Sequence, residues 1–209
     1  MQVTFRAKIP DSILPVYKTK QSKQNTVAIL GSSKTTNEIL NYMDMCSNSV
    51  KAFVLSGRNI VHGCCVNGIM GAAYCAGKNF SKKNTEGKPE QSLAIITNPL
   101  WGDEDLENCV TIGTANSEAD RIEKFTQVAD TMLIFPGSTG TLQEAATLIS
   151  KNYYGKEEDK KRIVLVGKEF FKGLDTQYKT LYASGLLRCK PEDLYTIVNK
   201  EEDIKNIIK

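Results

Sequence analysis

From Thr131 to Glu144 the chain reads Thr-Met-Leu-Ile-Phe-Pro136-Gly137-Ser138-Thr139-Gly140-Thr141-Leu-Gln-Glu144. An apolar run passes into small and hydroxylated residues and then into an amphipathic stretch, the order expected of a strand, a turn and a helix. Such a turn aims the backbone N–H groups of the helix start beyond the carboxyl edge of a sheet. A helix N-terminus carries about half a positive charge, glycines admit close approach, and the hydroxyls of Ser138, Thr139 and Thr141 can bond phosphate oxygens. The same residues also fit an ordinary helix start, with Thr141 as N-cap and Glu144 closing a T-x-x-E capping box. Spacing alone leaves both open. The lysine of a G-x-x-x-x-G-K-[ST] loop is missing, so this is not a Walker A turn.

Two further turns have a similar make-up. Gly31-Ser32-Ser33 follows one apolar run, and Gly63-Cys64-Cys65-Val66-Asn67-Gly68-Ile69-Met70-Gly71 follows another. In an open parallel sheet, ligands bind outside the carboxyl ends of the strands, so three such turns on that edge would suit a nucleotide. The second turn lacks G-x-G-x-x-G spacing, and no acidic residue follows about 20 positions on to hold a ribose, which disfavours NAD. A carboxylate such as Glu144 could stabilise an oxocarbenium-like ribose and orient water, and a guanidinium such as Arg121 could hold phosphate or sugar oxygens. The ordinary alternative for Arg121 is a surface residue paired with Glu118 or Asp120. His62, the only histidine, is expected to be structural. Asn98, Pro99 and Trp101 follow a strand end and are candidates for a base pocket, whereas Tyr153 and Tyr154 are expected to pack.

These groups need a scaffold, and the pattern supplies one. Thr26–Leu30, Ala52–Leu55, Leu93–Ile96, Cys109–Gly113, Thr131–Phe135 and Arg162–Gly167 are short apolar runs rich in β-branched residues, giving six expected strands. Asn37–Met45, Gly68–Ala76, Glu118–Ala129, Leu142–Tyr153, Phe170–Tyr182 and Glu201–Ile208 are the expected helices. Ile122, Phe125, Val128 and Ala129 share one face of the third. The alternation predicts an α/β fold with an open parallel sheet and helices on both faces. Asn79–Ser92 is polar and reads as a surface loop.

The 209 residues suit a single domain, expected over 25–209. Residues 1–24 carry five cations against Asp11, a net +4, which leaves −1 of the total +3 for the remainder. They read as a basic extension, and the near-neutral domain lacks the electrostatic footprint of a nucleic-acid binder. No apolar run reaches the roughly 20 residues of a membrane span, and the start has no secretory h-region, so a cytoplasmic location is expected. Six cysteines without C-x-x-C spacing and one histidine make a zinc site improbable. Cys75 and Cys109 are expected to be buried among apolar neighbours.

Pro136-Gly-Ser-Thr-Gly-Thr-Leu-Gln-Glu144 resembles the P-G-G-x-G-T-x-x-E signature of the Lonely Guy (LOG) family of cytokinin-activating phosphoribohydrolases. Gly31-Ser32-Ser33 resembles that family's early G-S-S turn, and Gly63 to Gly71 its G-G-G-x-x-G-L-M-G turn. Arg121 lies 15 residues before Pro136, where the family places its arginine. The likeness implies a Rossmann-like homodimer that cleaves a nucleoside 5'-monophosphate, foremost AMP or an N6-modified AMP, to free base and ribose 5-phosphate. It implies no metal and no redox cofactor. Arg121 and Glu144 take the catalytic positions. Gly31, Ser32, Ser33, Gly63, Gly68, Met70, Gly71 and Pro136 to Thr141 (Gly137, Ser138, Thr139, Gly140) take the substrate-binding ones. A non-catalytic nucleotide sensor or carrier of the same fold is the alternative. Where the family has M-H-E-R-K, this chain has Glu118-Ala-Asp-Arg-Ile122. Some relatives carry the label possible lysine decarboxylase, but nothing here resembles a pyridoxal-phosphate lysine site.

Overall fold

The computed structural model describes residues 17–83, 85, 90–97 and 110–207. Its strands are β1 (Thr26–Leu30), β2 (Asn59–His62), β3 (Ser92–Thr97), β4 (Val110–Ala115), β5 (Thr131–Ile134), β6 (Arg162–Val166) and β7 (Thr196–Val198). The helices are α1 (Lys20–Gln24), α2 (Leu40–Leu55), α3 (Gly68–Phe80), α4 (Glu118–Val128), α5 (Thr139–Tyr154), α6 (Lys168–Ala183) and α7 (Glu201–Ile207). All strand pairings are parallel, in the order β4-β3-β2-β1-β5-β6-β7. Ala28 of β1 pairs with Val61 on one side and Met132 on the other. The chain winds outward in both directions from β1 and β5, the Rossmann-like arrangement whose switch point lies between those two strands.

A sheet covered on both faces needs strands that are apolar on both faces, and every residue of β1 is buried. Val27, Ile29, Leu133, Val164 and Val166 face Cys46, Val50 and Phe53 of α2, Ala73 of α3 and Ile204 of α7. Ala28, Leu30, Met132, Ile134 and Leu165 face Phe125 of α4, Leu148 of α5 and Phe171 of α6. The face expected from Ile122, Phe125, Val128 and Ala129 is buried as a unit.

Three expectations need correction. Ala52–Leu55 is not a strand but the last turn of α2, since Phe53 and Val54 continue the helical spacing of Cys46, Ser49 and Val50, all buried. The strand is the next segment, Asn59–His62. A seventh strand, three-residue β7, lies at the sheet edge beside β6, too short for periodicity to reveal. Cys75 of α3 is exposed, because it sits on the helix face opposite Ala72, Ala73 and Ala76. Cys109 lies outside the described residues. Tyr17, ahead of α1, packs against the core, and Asp130 N donates to Lys23 O at 3.1 Å. Among the described residues no helix is long and apolar enough to cross a membrane.

Candidate functional site

The three small-residue turns converge at the carboxyl edge. Ser32 N donates to Pro136 O at 3.0 Å, tying the turn after β1 to the turn after β5 across the switch point. Met70 N donates to Ser32 O at 3.3 Å, and Gly68 N to Thr35 Oγ1 at 3.1 Å, bringing in the turn after β2. The contacts leave no room for side chains at the junction. A Cβ on Gly137 would collide with Thr141 Oγ1 and stand 2.8 Å from Ser32 N. Gly68 has φ +63°, and a Cβ there would press on the backbone of Ser32 and Lys34. Gly31, Gly63 and Gly71 are buried beside them, while Ser33 is exposed.

The turn after β5 opens a helix, but not at the residue the T-x-x-E spacing suggests. Helix α5 begins at Thr139 with Ser138 as N-cap, and the Ser138 side chain makes no capping bond. Thr141 and Glu144 therefore do not form a capping box. Ser138, Thr139 and Gly140 are exposed at the helix start, and the space where a Gly140 Cβ would stand is open. The early N–H groups of α5 have no i−4 partner within the helix, so this end presents a positive pole to the cleft.

Behind this pole sits Glu144, buried and in the second turn rather than the first. No described residue hydrogen-bonds its carboxylate. Burial pushes its pKa up to about 7, partly opposed by the Arg121 guanidinium and reinforced by Glu118. The helix dipole, which would favour the ionised form, is outweighed at this depth. The carboxylate charge expected at neutral pH is therefore only partial, and Glu144 is suited to pick up and release a proton near pH 7.

Arg121 comes from the first turn of α4. That start is fixed by Ser117, whose hydroxyl accepts from Asp120 N at 3.1 Å, and by Asp120, which accepts from Asn116 N at 2.8 Å. Arg121 is 8% exposed. Its Nη1 lies 3.7 Å from Glu118 Oε2, and its Nη2 donates to Met70 Sδ at 3.5 Å. The guanidinium rests directly on Gly63, where a Cβ would collide with Nη2. Its Nε is buried without a hydrogen-bond partner among the described residues. A buried guanidinium donor left unmatched marks a place for an acceptor oxygen. The surface pairing weighed for Arg121 is thus half present: Glu118 is there, yet Asp120 pairs with Lys124 at 2.7 Å, and the arginine itself is enclosed.

His62, at the end of β2, lies fully buried beneath the Gly63 turn. Cys64 N donates to its Nδ1 at 3.1 Å, so the neutral ring carries its proton on Nε2, which reaches Ser92 Oγ at 3.2 Å. Burial, aided by Arg121, lowers its pKa to about 4. Its hydrogen-bond partners are scaffold groups, and it is buried as a structural histidine is expected to be. Of the tyrosine pair, Tyr153 packs against the core but Tyr154 is 78% exposed. Asn98, Pro99 and Trp101 lie outside the described residues.

The fold and this edge define a Rossmann-like α/β protein with an exposed helix start, a buried arginine and a buried glutamate near the switch point. The sequence profile of the family described as possible lysine decarboxylase matches residues 68–208. The chain belongs to this LOG-type family. No curated protein matches it in sequence. Among solved structures it is similar to TM1055, with TM-score 0.63 and 14% identity over 88% of this chain and 98% of that one. It is also similar to the Moco carrier protein of Chlamydomonas reinhardtii, with TM-score 0.54 and 17% identity over 87% and 94%. The molybdenum cofactor binding protein of Rippkaea orientalis follows, with TM-score 0.52 and 18% identity over 88% and 96%. At these identities the likeness is one of fold.

Proposed function

We propose that this chain hydrolyses the N-glycosidic bond of a nucleoside 5'-monophosphate, releasing the free base and ribose 5-phosphate. The observation that carries the proposal is Glu144, a buried carboxyl with its pKa near 7 in the electrostatic field of Arg121, behind a helix start open to an anion. The phosphate takes the N–H groups and hydroxyls of Ser138 to Thr141, with Gly31 to Ser33 closing the far side. Arg121 offers its unmatched Nε–H to a phosphate or ribose oxygen. The ribose then lies over the carboxylate of Glu144. As the glycosidic bond breaks, positive charge grows on the ring, and the ionised carboxylate stabilises it while orienting or deprotonating the attacking water. The departing base takes up a proton. AMP and an N6-modified AMP are the first substrates to try, and a homodimer is the assembly the family resemblance favours.

Binding without turnover is the second reading, and a Moco carrier protein and a molybdenum cofactor binding protein among the similar folds favour it. Cys64 and Cys65 in a turn built on glycines in the resembling family point the same way. One experiment separates the two. The protein is incubated with a panel of nucleoside monophosphates, and ribose 5-phosphate and free base are measured beside binding. Base release at turnover supports the hydrolase. Tight binding with no product supports the carrier, and neither binding nor product rejects both.

A further inference from the structure

The Arg121 guanidinium is not held by a strong partner of its own. Its ion pair with Glu118 is long at 3.7 Å, and Met70 sulfur is a weak acceptor. The guanidinium lies between the ring of Phe125, 5.7 Å from its centroid, and the backbone of Gly63, against which it is pressed. That backbone bends sharply next door, where Cys64 takes φ +52°, a left-handed conformation that a non-glycine residue adopts only at a cost. A strained residue keeps such a conformation only where its surroundings dictate it. Among the contacts that hold Cys64, its N–H donates to His62 Nδ1 at 3.1 Å. The imidazole is in turn held from its far side by Ser92 Oγ at 3.2 Å, and Ser92 is accommodated by Gly77, where a Cβ would lie 2.9 Å from Ser92 Cβ. Tyr74 meets the imidazole edge-on at 6.0 Å. A chain of contacts thus runs from β3 and α3 through one imidazole to the turn under Arg121.

We propose that His62, as the Nε2–H tautomer, is a positioning residue of this site: its Nδ1 holds the Gly63–Cys64 turn, and the turn sets the guanidinium of Arg121 where it meets the ligand. The inference builds on the proposed site but not on its reaction. His62 touches neither ligand nor reacting atoms. The two ring nitrogens have separable duties, Nδ1 toward the turn and Nε2 toward the scaffold. Only the first matters for Arg121. An asparagine places its Oδ1 near the Nδ1 position and can still accept from Cys64 N, whereas a glutamine places its amide near Nε2 and leaves Cys64 N without an acceptor.

The test compares His62→Asn, His62→Gln and the wild type as full chains. Because His62 is the only histidine, its imidazole nitrogen signals in the wild type need no assignment, and they should report the neutral Nε2–H tautomer. The Arg121 Nε–H signal, assigned by its loss in Arg121→Lys, should exchange slowly with water in the wild type and in His62→Asn. In His62→Gln it should exchange at least 10-fold faster. AMP affinity should follow the same order, with His62→Asn within about 3-fold of the wild type and His62→Gln weaker by about 10-fold or more. A purely structural role predicts something different: the two variants lose affinity in step with their melting temperatures. That outcome, an Nδ1–H tautomer, or Arg121 exchange unchanged in His62→Gln would overturn the proposal. If the wild type binds AMP without releasing base, the hydrolase fails and the affinity series still decides. If it binds no AMP, the tautomer and the exchange rates decide alone.

Discussion

Glu144 carries a cost that its neighbours do not remove. In the folded chain its pKa is raised from 4.5 to about 7, so the fold binds a proton more tightly than the unfolded chain does. Stability linked to this group is fully present below pH 4.5, falls as pH rises, and is lost above about 7. The deficit at pH 8 is on the order of 3 kcal/mol. Glu144→Gln removes the charge and keeps the shape, so its melting temperature should exceed that of the wild type at pH 8 and match it near pH 4.5. The same substitution should cut base release by about 100-fold or more while AMP binding stays within a few fold. If water activation needs the carboxylate, wild-type kcat/KM should rise with pH through a midpoint near 7. A flat profile across that range, with a melting temperature unchanged in the variant, would remove Glu144 from the chemistry. Gly63 offers a second test at this scale. An alanine Cβ meets the flexible end of Arg121 rather than fixed backbone, so Gly63→Ala should lower AMP affinity about 10-fold or more with little change in melting temperature.

At the level of the element, the start of α5 is where the proposed phosphate site can be tested apart from folding. Gly140 is exposed, and nothing stands where its Cβ would be. Gly140→Val should therefore leave the fold intact, at a helix-propensity change of well under about 1 kcal/mol. If phosphate sits there, AMP affinity should fall by about 10-fold or more in calorimetric titration; unchanged affinity would move the phosphate elsewhere. What the sequence could show of these elements depended on where their signals lay. The strand–turn–helix order around Pro136 was legible because a continuous apolar run, small residues and an amphipathic stretch follow one another in a few residues. The end of α2 was not, since Ala-Phe-Val-Leu looks like a buried strand unless its apolar positions are counted back to Cys46. The helix start at Thr139 was hidden for a related reason. Thr141 and Glu144 have capping-box spacing, but their side chains are both turned inward and buried. Spacing alone could not bring Gly63, Met70 and Arg121 together, since they meet only through the sheet order; the family resemblance grouped them, but not the contact of the guanidinium with Gly63.

Across the whole molecule, the two faces of the sheet are unequally finished. α2 and α3 bury long apolar faces, whereas α6 buries only Phe171 fully and leaves Phe170 and Tyr182 about 40% exposed. On α5, Leu142 projects from the first full turn beside the proposed phosphate-binding residues and is 41% exposed. A large apolar residue at the rim of a polar cleft suits an isologous contact, in which the same helix from two copies packs around a two-fold axis. Such a contact would set two sites near one boundary, with α4 and α5 on both sides of it. The expected mass by light scattering is then twice 23.1 kDa, about 46 kDa, at micromolar concentration. Leu142→Arg puts a charge into that contact while changing nothing in the core, so it should shift the mass to about 23 kDa and leave the melting curve cooperative. A wild type already at about 23 kDa would count against the dimer. A variant that stays at about 46 kDa would place the contact on another face, and α6, with its exposed Phe170 and Tyr182, would be the one to substitute next.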